Sequence, residues 1–428
     1  MSRLRQRLLF STIVLLPLLL IAAGWITLLY LQQGGSAPFQ VPQGFARVVP
    51  DDAALIEHGR ALARIGNCAG CHTAHGGKAY AGGRAFATPY GTIYSSNLTS
   101  DPQHGIGAWS LQEFRHAMRH GVSRNGVQSP VFPYANFARL PDADVDALFA
   151  YLATVPAVAV TPPADNLEFP ANLPGAMAAW RLLYYRPDPP RMTAPANARG
   201  AALVEGIGHC AVCHGTRGLF SSLAEGPRLD GGRVLGWYAP ALNAQSLQSY
   251  APGAVAAYLR GAAVDGHAAY GKMADVVAQN LQHLDAADAD AVEAYLRALP
   301  PPPPSRREPT NWELPSEQRA RGDRLYDENC ADCHGKDGRG KDGKYPALTT
   351  SSAITGPDPI NAIKLTLFGA VGPATPQNPR PYTMPPFAQK LSSADVAALV
   401  STLRARWGAN PRPVSPGDVD AWGGIDER

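Results

Sequence analysis

The sequence predicts an all-α fold, with three homologous helical domains in tandem behind an N-terminal transmembrane helix. Two observations carry this prediction. One plan recurs three times, in which a glycine-containing helix leads into a Cys-x-x-Cys-His motif and a patterned helix closes the repeat. The chain also begins with a long apolar run, Leu8 to Leu31, preceded by Arg3, Arg5 and Arg7.

The first predicted element is a transmembrane helix at the apolar run. As a helix it would extend roughly 36 Å, enough to cross a bilayer, and the preceding arginines favour export of the rest of the chain. A cleaved secretory signal is the alternative, but the run is long for a signal core and no clear cleavage site follows. We therefore expect residues 1–34 to form a cytoplasmic stub and a single anchor in a bacterial inner membrane, with the remainder on the periplasmic side.

The three repeats share their opening and closing helices. The openings read HGRALARIGNCAGCH, RGAALVEGIGHCAVCH and RGDRLYDENCADCH, and the closing helices are expected at Leu140–Pro156, Leu284–Pro300 and Leu391–Trp407. Apolar residues recur there at helical spacing, and an Asp or Ser near each start can cap the helix. The predicted domains are 45–157, 194–300 and 317–410, the proline-rich linkers are 158–193 and 301–316, and an irregular tail is 411–428. Within the first linker, AAWRLLYY is expected to be an interdomain core helix rather than a membrane or partner contact.

Composition excludes some functions. The 428-residue chain has a net charge of +3, which gives no signal for nucleic-acid binding. All six cysteines lie in the three motifs, CAGCH, CAVCH and CADCH, so none remains for a structural disulfide. We therefore expect no nucleic-acid partner.

Cys-x-x-Cys-His is the attachment motif of c-type haem. Its spacing puts two thiols on one face of a helical turn, where they can form thioethers with the two vinyl groups, and aims the next imidazole at the iron. A zinc site or a dithiol redox pair is the alternative interpretation of one such motif, but three copies with no spare cysteine favour three covalently bound haem c groups. The thiols are Cys68, Cys71, Cys210, Cys213, Cys330 and Cys333, and the proximal ligands are His72, His214 and His334.

The sixth ligand decides what such a haem does. A methionine opposite histidine raises the reduction potential and closes the iron to outside ligands, which suits electron transfer. Met273 and Met384 each lie in a loop between a Cys motif and a closing helix, where a ligand is needed. The alternative is that they are ordinary core residues.

The first repeat departs from this pattern, because Phe132 stands where the ligand is expected. Met118 is the first choice among the remaining candidates, since its helix should line the distal side. Leu259 fills the equivalent place in the second repeat, however, so packing explains Met118 about as well. An open iron also stays possible, and the other candidate ligands are His75, His104, His116 and His120. Four aromatic residues could bond haem propionates or be core residues, namely Tyr94, Trp109, Trp237 and Tyr238.

Longer stretches carry a resemblance to a known family. They include GTIYSSNLTSDPQHGIGAWS, GWYAPAL, YGKMADVV and YTMPPFAQKLSSADVAALVSTLRARWG. The chain resembles the membrane-bound triheme cytochrome c subunits of bacterial periplasmic dehydrogenase complexes over about residues 45–410. The resemblance implies three tandem class I cytochrome c domains, a catalytic dehydrogenase partner with a small iron–sulfur subunit, and membrane ubiquinone as the electron acceptor.

One departure from that family bears on the partner. Many members read Ala-Met-Pro-Tyr where this chain reads Val131-Phe132-Pro133-Tyr134. The Phe-Pro-Tyr version looks like cytochromes paired with molybdopterin aldehyde dehydrogenases, while quinoprotein alcohol dehydrogenases and flavin-dependent sugar or gluconate dehydrogenases are the alternative partners. We expect a subunit that is not catalytic alone. The functions left open are a haem enzyme working at an open first haem and a cytochrome feeding a terminal oxidase.

Overall fold

The computed structural model describes residues 15–21, 23–25, 27, 52–185, 197–218, 229–264, 266–301, 312–341, 345–408 and 412–423. The chain divides into two compact units. Unit 1 comprises residues 1–63 and 68–191, and unit 2 comprises residues 64–67 and 192–428.

Unit 1 is a helical body with two small sheets. Its helices are α1 Ala53–Ile65, α2 Cys68–Cys71, α3 Leu111–His120, α4 Tyr134–Phe137, α5 Asp142–Thr154 and α6 Ala176–Tyr184. Its strands are β1 Ala85–Thr88, β2 Gly91–Tyr94, β3 Val122–Ser123, β4 Gly126–Val127 and β5 Asn166–Leu167. Strands β1, β2 and β5 form an antiparallel sheet, and β3 pairs with β4.

The core of unit 1 lies between α3 and α5. Phe114 and Phe149 pack with ring centroids 5.4 Å apart, and both are buried. The predicted helix AAWRLLYY is α6, and it packs against the end of α3. Arg181 Nε donates to His120 O at 2.8 Å and the Tyr185 hydroxyl donates to Arg119 O at 2.6 Å.

Unit 2 contains the second and third Cys motifs. Its helices are α7 Ala198–Ala201, which continues as a π-helix over Ala202–Ile207, α8 Ala211–His214, α9 Ala254–Leu259, α10 Gly271–Gln279, a 3-10 turn at Leu281–His283, α11 Ala286–Ala298, α12 Ser316–Asn329, α13 Ala331–His334, α14 Ser352–Thr355, α15 Ile360–Phe368, α16 Ser393–Trp407 and α17 Pro416–Gly423. Its strands form the hairpins β6 Gly232–Val234 with β7 Trp237–Ala239 and β8 Ala370–Val371 with β9 Thr383–Met384.

The main core of unit 2 surrounds α16. Tyr326, Ile363, Val396 and Val400 are each fully buried in one cluster. The segment expected to be an irregular tail contributes to this core instead, because Val414 and Val419 belong to the same cluster and α17 is a regular helix over part of that segment.

Each opening helix contains a glycine that allows it to pack closely against the closing helix of the same repeat. A Cβ atom built on Gly59 would collide with Ala147 O, and one built on Gly200 would collide with Ala291 O. A Cβ on Gly322 would collide with Thr402 Oγ1 and lie 2.6 Å from Ala398 O. The recurring glycine is therefore the residue that lets the two helices cross at backbone contact.

The prediction of an all-α fold is wrong. About half of the described chain is helical, and the described residues also form nine short strands in four small sheets. Eight of these strands lie in the segments between Cys motif and closing helix that were expected to be variable loops, and β5 lies in the first proline-rich linker. Two-residue turns join β1 to β2, β3 to β4 and β6 to β7, and a glycine with positive φ lies at each turn, as at Gly91 (φ 105°) and Gly236 (φ 72°).

The predicted transmembrane anchor, and the inner-membrane location drawn from it, are also contradicted. Across the part of the chain that the structure describes, no helix has the length and apolar character needed to cross a membrane. The described residues of the apolar run, 15–21, 23–25 and 27, are helical and exposed. The three arginines before the run, and most of the second proline-rich linker, lie outside the described residues.

The close contact between an opening helix and its closing helix can be tested by substituting the glycine at the crossing. Gly322→Ala should lower the free energy of unfolding by about 2 kcal/mol, because overpacking against α16 outweighs the better helix propensity of alanine. Gly417→Ala is the matched control, since a Cβ there meets only Ser415 Oγ at 3.8 Å. Chemical unfolding of the full chain followed by circular dichroism measures both, and equal midpoints for the two variants would contradict the crossing.

Candidate functional site

A short helix covers most of each Cys motif, and the motif's histidine follows α2 directly and is the last residue of α8 and of α13. Helices α2, α8 and α13 carry the motifs, and none of the six cysteines, each among the described residues, forms a disulfide. Burial raises the pKa of Cys68 and Cys210 to about 12 and that of Cys330 to about 11. These thiols are therefore uncharged and lie in apolar surroundings, which suit the vinyl groups of a porphyrin.

The three histidines share one hydrogen bond. The Nδ1 atom of His72 lies 2.7 Å from Ser96 O, that of His214 lies 2.7 Å from Pro240 O, and that of His334 lies 2.9 Å from Pro346 O. A carbonyl oxygen can only accept, so Nδ1 carries the proton and donates it. Each Nε2 is then left with its lone pair, which is the form that binds iron.

Burial keeps these imidazoles neutral. Desolvation lowers the pKa of His72, His214 and His334, and the hydrogen bond to the carbonyl offsets only part of that effect. A neutral ring with a fixed tautomer is a ready ligand. Among the described residues, no three His, Cys, Asp or Glu side chains converge as a metal-ion site.

At the third site, all the residues predicted to bind the haem line one cavity. A cavity of about 310 Å³ is lined by Cys330, Cys333, His334 and Met384 together. Strand β9 presents Met384, and apolar side chains complete the wall, among them Ile354, Leu391, Leu399 and Leu403. The thiols, the imidazole and the thioether predicted from sequence thus meet at one apolar cavity, and this donor set fits a c-type haem.

Residues from the preceding repeat also line this cavity. They are Tyr250, Tyr258, Ala262, Ala263, Val264, Gly266, His267, Ala268, Ala269 and Tyr270. Two hydrogen bonds hold this segment in place: Thr375 Oγ1 donates to Gly261 O at 2.7 Å, and Ala347 N donates to Gly266 O at 3.2 Å. This wall could not be predicted from the sequence, because no local pattern marks a contact between repeats.

The second site is built around α10 and the β6–β7 hairpin. Met273 packs in an apolar cluster with Tyr258, Ala274 and Val277. The hairpin leads into Pro240, whose carbonyl holds His214, and the Trp237 ring packs on Gly271 at the start of α10. One short hairpin therefore contacts both His214, through Pro240, and the start of the helix that carries Met273.

The first site differs on its distal side. Met118 is buried in α3, whereas Phe132 packs on Phe137 with ring centroids 5.3 Å apart. The other candidates have different roles: His75 is exposed, His104 bonds Asp101, and the His116 and His120 rings pack on each other. Met118, the first choice from the sequence, is thus the buried thioether of this repeat.

Comparison with known proteins decides the family. A cytochrome c family model matches residues 56–156 and 319–407. The alcohol dehydrogenase (quinone) cytochrome c subunit of Gluconobacter oxydans is 34% identical over 399 residues, which cover 88% of this chain and 84% of that protein. The chain belongs to the cytochrome c subunits of bacterial dehydrogenase complexes.

Two other relatives support this assignment of the cytochrome. The gluconate 2-dehydrogenase cytochrome c subunit of Pantoea cypripedii is 35% identical, covering 85% of this chain and 88% of that protein. One of the nicotinate dehydrogenase subunits of Pseudomonas putida is 39% identical over 87% of this chain, which spans only 31% of that longer protein. The cytochrome therefore carries covalently bound haem c, and its relatives work in dehydrogenase complexes.

Glu293 positions helix α9, which carries Tyr258 to the second site. Its carboxylate accepts from Gly253 N at 2.9 Å, from Ala256 N at 2.8 Å and from Arg297 Nε at 2.7 Å. Burial alone would raise the pKa of Glu293, but these hydrogen bonds outweigh it and lower the pKa. The Glu293 carboxylate therefore stabilises the folded protein fully at a pH above the pKa that Glu has in the unfolded chain, about 4.3. This stabilisation is lost as the pH falls through the lower pKa that Glu293 has in the folded chain.

Glu293→Gln should lower the free energy of unfolding by about 2 kcal/mol at pH 7, because the hydrogen bonds lose their charge. The difference from the wild type should narrow as pH falls below about 4.3. Asp290→Asn, an exposed carboxylate on the same helix, is the control and should change little. Denaturant titrations at several pH values between about 3 and 7 measure the difference in unfolding free energy, since this range surrounds the ordinary Glu pKa of about 4.3. A difference that does not change with pH would contradict the prediction.

Proposed function

We propose that the cytochrome is a three-haem electron-transfer subunit that takes electrons from a catalytic dehydrogenase and passes them to ubiquinone. The single observation that carries this proposal is the third cavity, lined by a thiol pair, His334 and Met384. When bound, each c-type haem supplies one-electron redox chemistry. The polypeptide holds the group covalently, fixes the ligand tautomer and keeps water from the site.

Residues 45–157, 194–300 and 317–410 each form one haem domain in this proposal. The thiol pairs are Cys68 with Cys71, Cys210 with Cys213, and Cys330 with Cys333, and the proximal ligands are His72, His214 and His334. Met273 and Met384 are the sixth ligands of the second and third haems. Met118 takes that role in the first, since it is the buried thioether of that repeat.

The proposed catalytic partner is a molybdopterin aldehyde dehydrogenase with a small iron–sulfur subunit. Its support is the Val131-Phe132-Pro133-Tyr134 stretch, which resembles cytochromes of that branch. A quinoprotein alcohol dehydrogenase or a flavin-dependent gluconate dehydrogenase is the second candidate. The names of two relatives, from Gluconobacter oxydans and Pantoea cypripedii, favour it.

Axial ligation gives a spectroscopic prediction. The reduced wild-type protein should bind no carbon monoxide, because a thioether closes each iron. Met384→Ala and Met273→Ala should each open one site, while Phe132→Leu, the matched distal control, should open none. Absorption spectra of the reduced protein under carbon monoxide measure this.

Gas binding at the first haem site distinguishes an electron-transfer subunit from a haem enzyme. Met118→Ala should create gas binding at the first haem in an otherwise closed protein. If the wild type already binds the gas at one site and Met118→Ala adds nothing, the first iron is open. The alternative of a haem enzyme would then replace the electron-transfer proposal for that site.

The partner is tested by isolating the native complex. Affinity purification of the tagged full-length cytochrome from its own organism should recover a molybdopterin dehydrogenase, and aldehyde should then reduce the haems in the purified complex. Ubiquinone should reoxidise them. Recovery of a quinoprotein or flavoprotein dehydrogenase would replace the proposed donor, and recovery of a copper–haem oxidase would overturn the electron-transfer direction.

A further inference from the structure

Tyr258 lies in the wall between the second site and the third. Its side chain packs on the small buried cluster of Ala269, Ala274 and Val277, and Met273 packs on the same cluster. Tyr258 also lines the cavity of the third site. One tyrosine therefore contacts both the packing around the proposed sixth ligand of the second haem and the space proposed for the third haem.

Both ends of the helix that carries this tyrosine are held in place. The Glu293 carboxylate accepts from backbone N–H groups at the start of α9. Beyond its other end, Thr375 Oγ1 of the third repeat donates to Gly261 O at 2.7 Å. Gly261 has a φ of 83°, and a Cβ atom built there would collide with Thr375. The two repeats thus meet at backbone contact, and this contact sets the thickness of the wall.

The Tyr258 ring is also fixed and uncharged. The Tyr250 ring meets it edge-on, with centroids 6.1 Å apart and planes at 82°, and stacks in turn on His267. Burial raises the pKa of Tyr258 well above its ordinary value, and the neighbouring Tyr250 and Tyr270 raise it further. The phenol therefore stays neutral, so it adds no charge to either site.

This arrangement suits electronic coupling between the two sites. Electron tunnelling is faster through atoms in van der Waals contact than across a gap, and delocalised π orbitals couple better than an aliphatic chain. The sulfur of Met273 is polarizable, as thioethers are. From Met273 the route runs over the shared cluster and the phenol ring to the third cavity, and each step is a packing contact.

We propose that Tyr258 is the electronic bridge between the second and third haems. This inference rests on the proposed function and names the route within unit 2. One electron leaves the ferrous iron of one haem, which becomes ferric, and reaches the ferric iron of the other, which becomes ferrous. Tyr258 is neither oxidised nor deprotonated, so no bond forms or breaks and no further reactant is needed.

The test is flash photolysis of the full-length holoprotein in a Met384→Ala background. Carbon monoxide holds the opened third haem reduced while the second haem is oxidised. A flash releases the gas, and the electron moves to the second haem, because a methionine ligand gives that haem the higher potential. Tyr258→Leu should slow this transfer about tenfold, equivalent to about 1.4 kcal/mol in the effective barrier. Tyr258→Phe, which keeps the ring, should retain the rate.

The matched control is Tyr250→Leu, which removes a ring that lines the same cavity but lies outside the Met273 cluster. It should change the rate much less than Tyr258→Leu does. Spectroelectrochemical titration then distinguishes a lost bridge from a changed driving force. With Met384 present, Tyr258→Leu should keep the wild-type midpoints of both haems, and a shifted midpoint that accounts for the slower transfer overturns the inference.

The remaining outcomes separate this inference from the proposed function. An unchanged rate in a folded Tyr258→Leu variant that retains its haems overturns the inference alone, as does equal slowing in Tyr250→Leu. If Tyr258→Leu is unfolded by circular dichroism, Tyr258→Ile decides the question. A Met384→Ala protein that binds no carbon monoxide, or a wild type without haem at Cys210 and Cys213, overturns the proposed function instead.

Discussion

The sites depend on one hydrogen bond made three times, from a histidine Nδ1 to a backbone carbonyl. It fixes the tautomer, so that a ring nitrogen with a lone pair faces the place where iron would bind. The accepting carbonyls belong to Ser96, Pro240 and Pro346. Each lies in the loop region after its Cys motif, so these segments hold the histidines in position and do more than connect helices.

The same segments join the second and third repeats. The β6–β7 hairpin holds His214 through Pro240 and binds α15 through Tyr238. The segment from Gly261 to Tyr270 lines the third cavity and then leads directly into the helix of Met273. The second and third Cys motifs in unit 2 are therefore held by shared backbone segments.

The local sequence pattern predicted the closing helices of the three repeats well. The closing helices begin and end close to their expected places, at Asp142–Thr154, Ala286–Ala298 and Ser393–Trp407. Asp285 and Ser392 cap the last two as expected, while the first follows Pro141 without a side-chain cap. Helical periodicity and capping are encoded within a few residues, so one sequence suffices to find them.

Other features have no local signature. The strands of two to four residues are too short for an alternating pattern, which is why an all-α fold was expected. The bond between Asn361 and Tyr238 joins residues 123 apart, and Tyr258 is an ordinary tyrosine in the sequence. Its place in the wall of the third cavity follows only from how the two repeats pack. Covalent attachment of one porphyrin at each thiol pair is tested most directly by the mass of the intact holoprotein. A mass increased by three porphyrins is the predicted result, and the mass of the bare polypeptide would contradict the account.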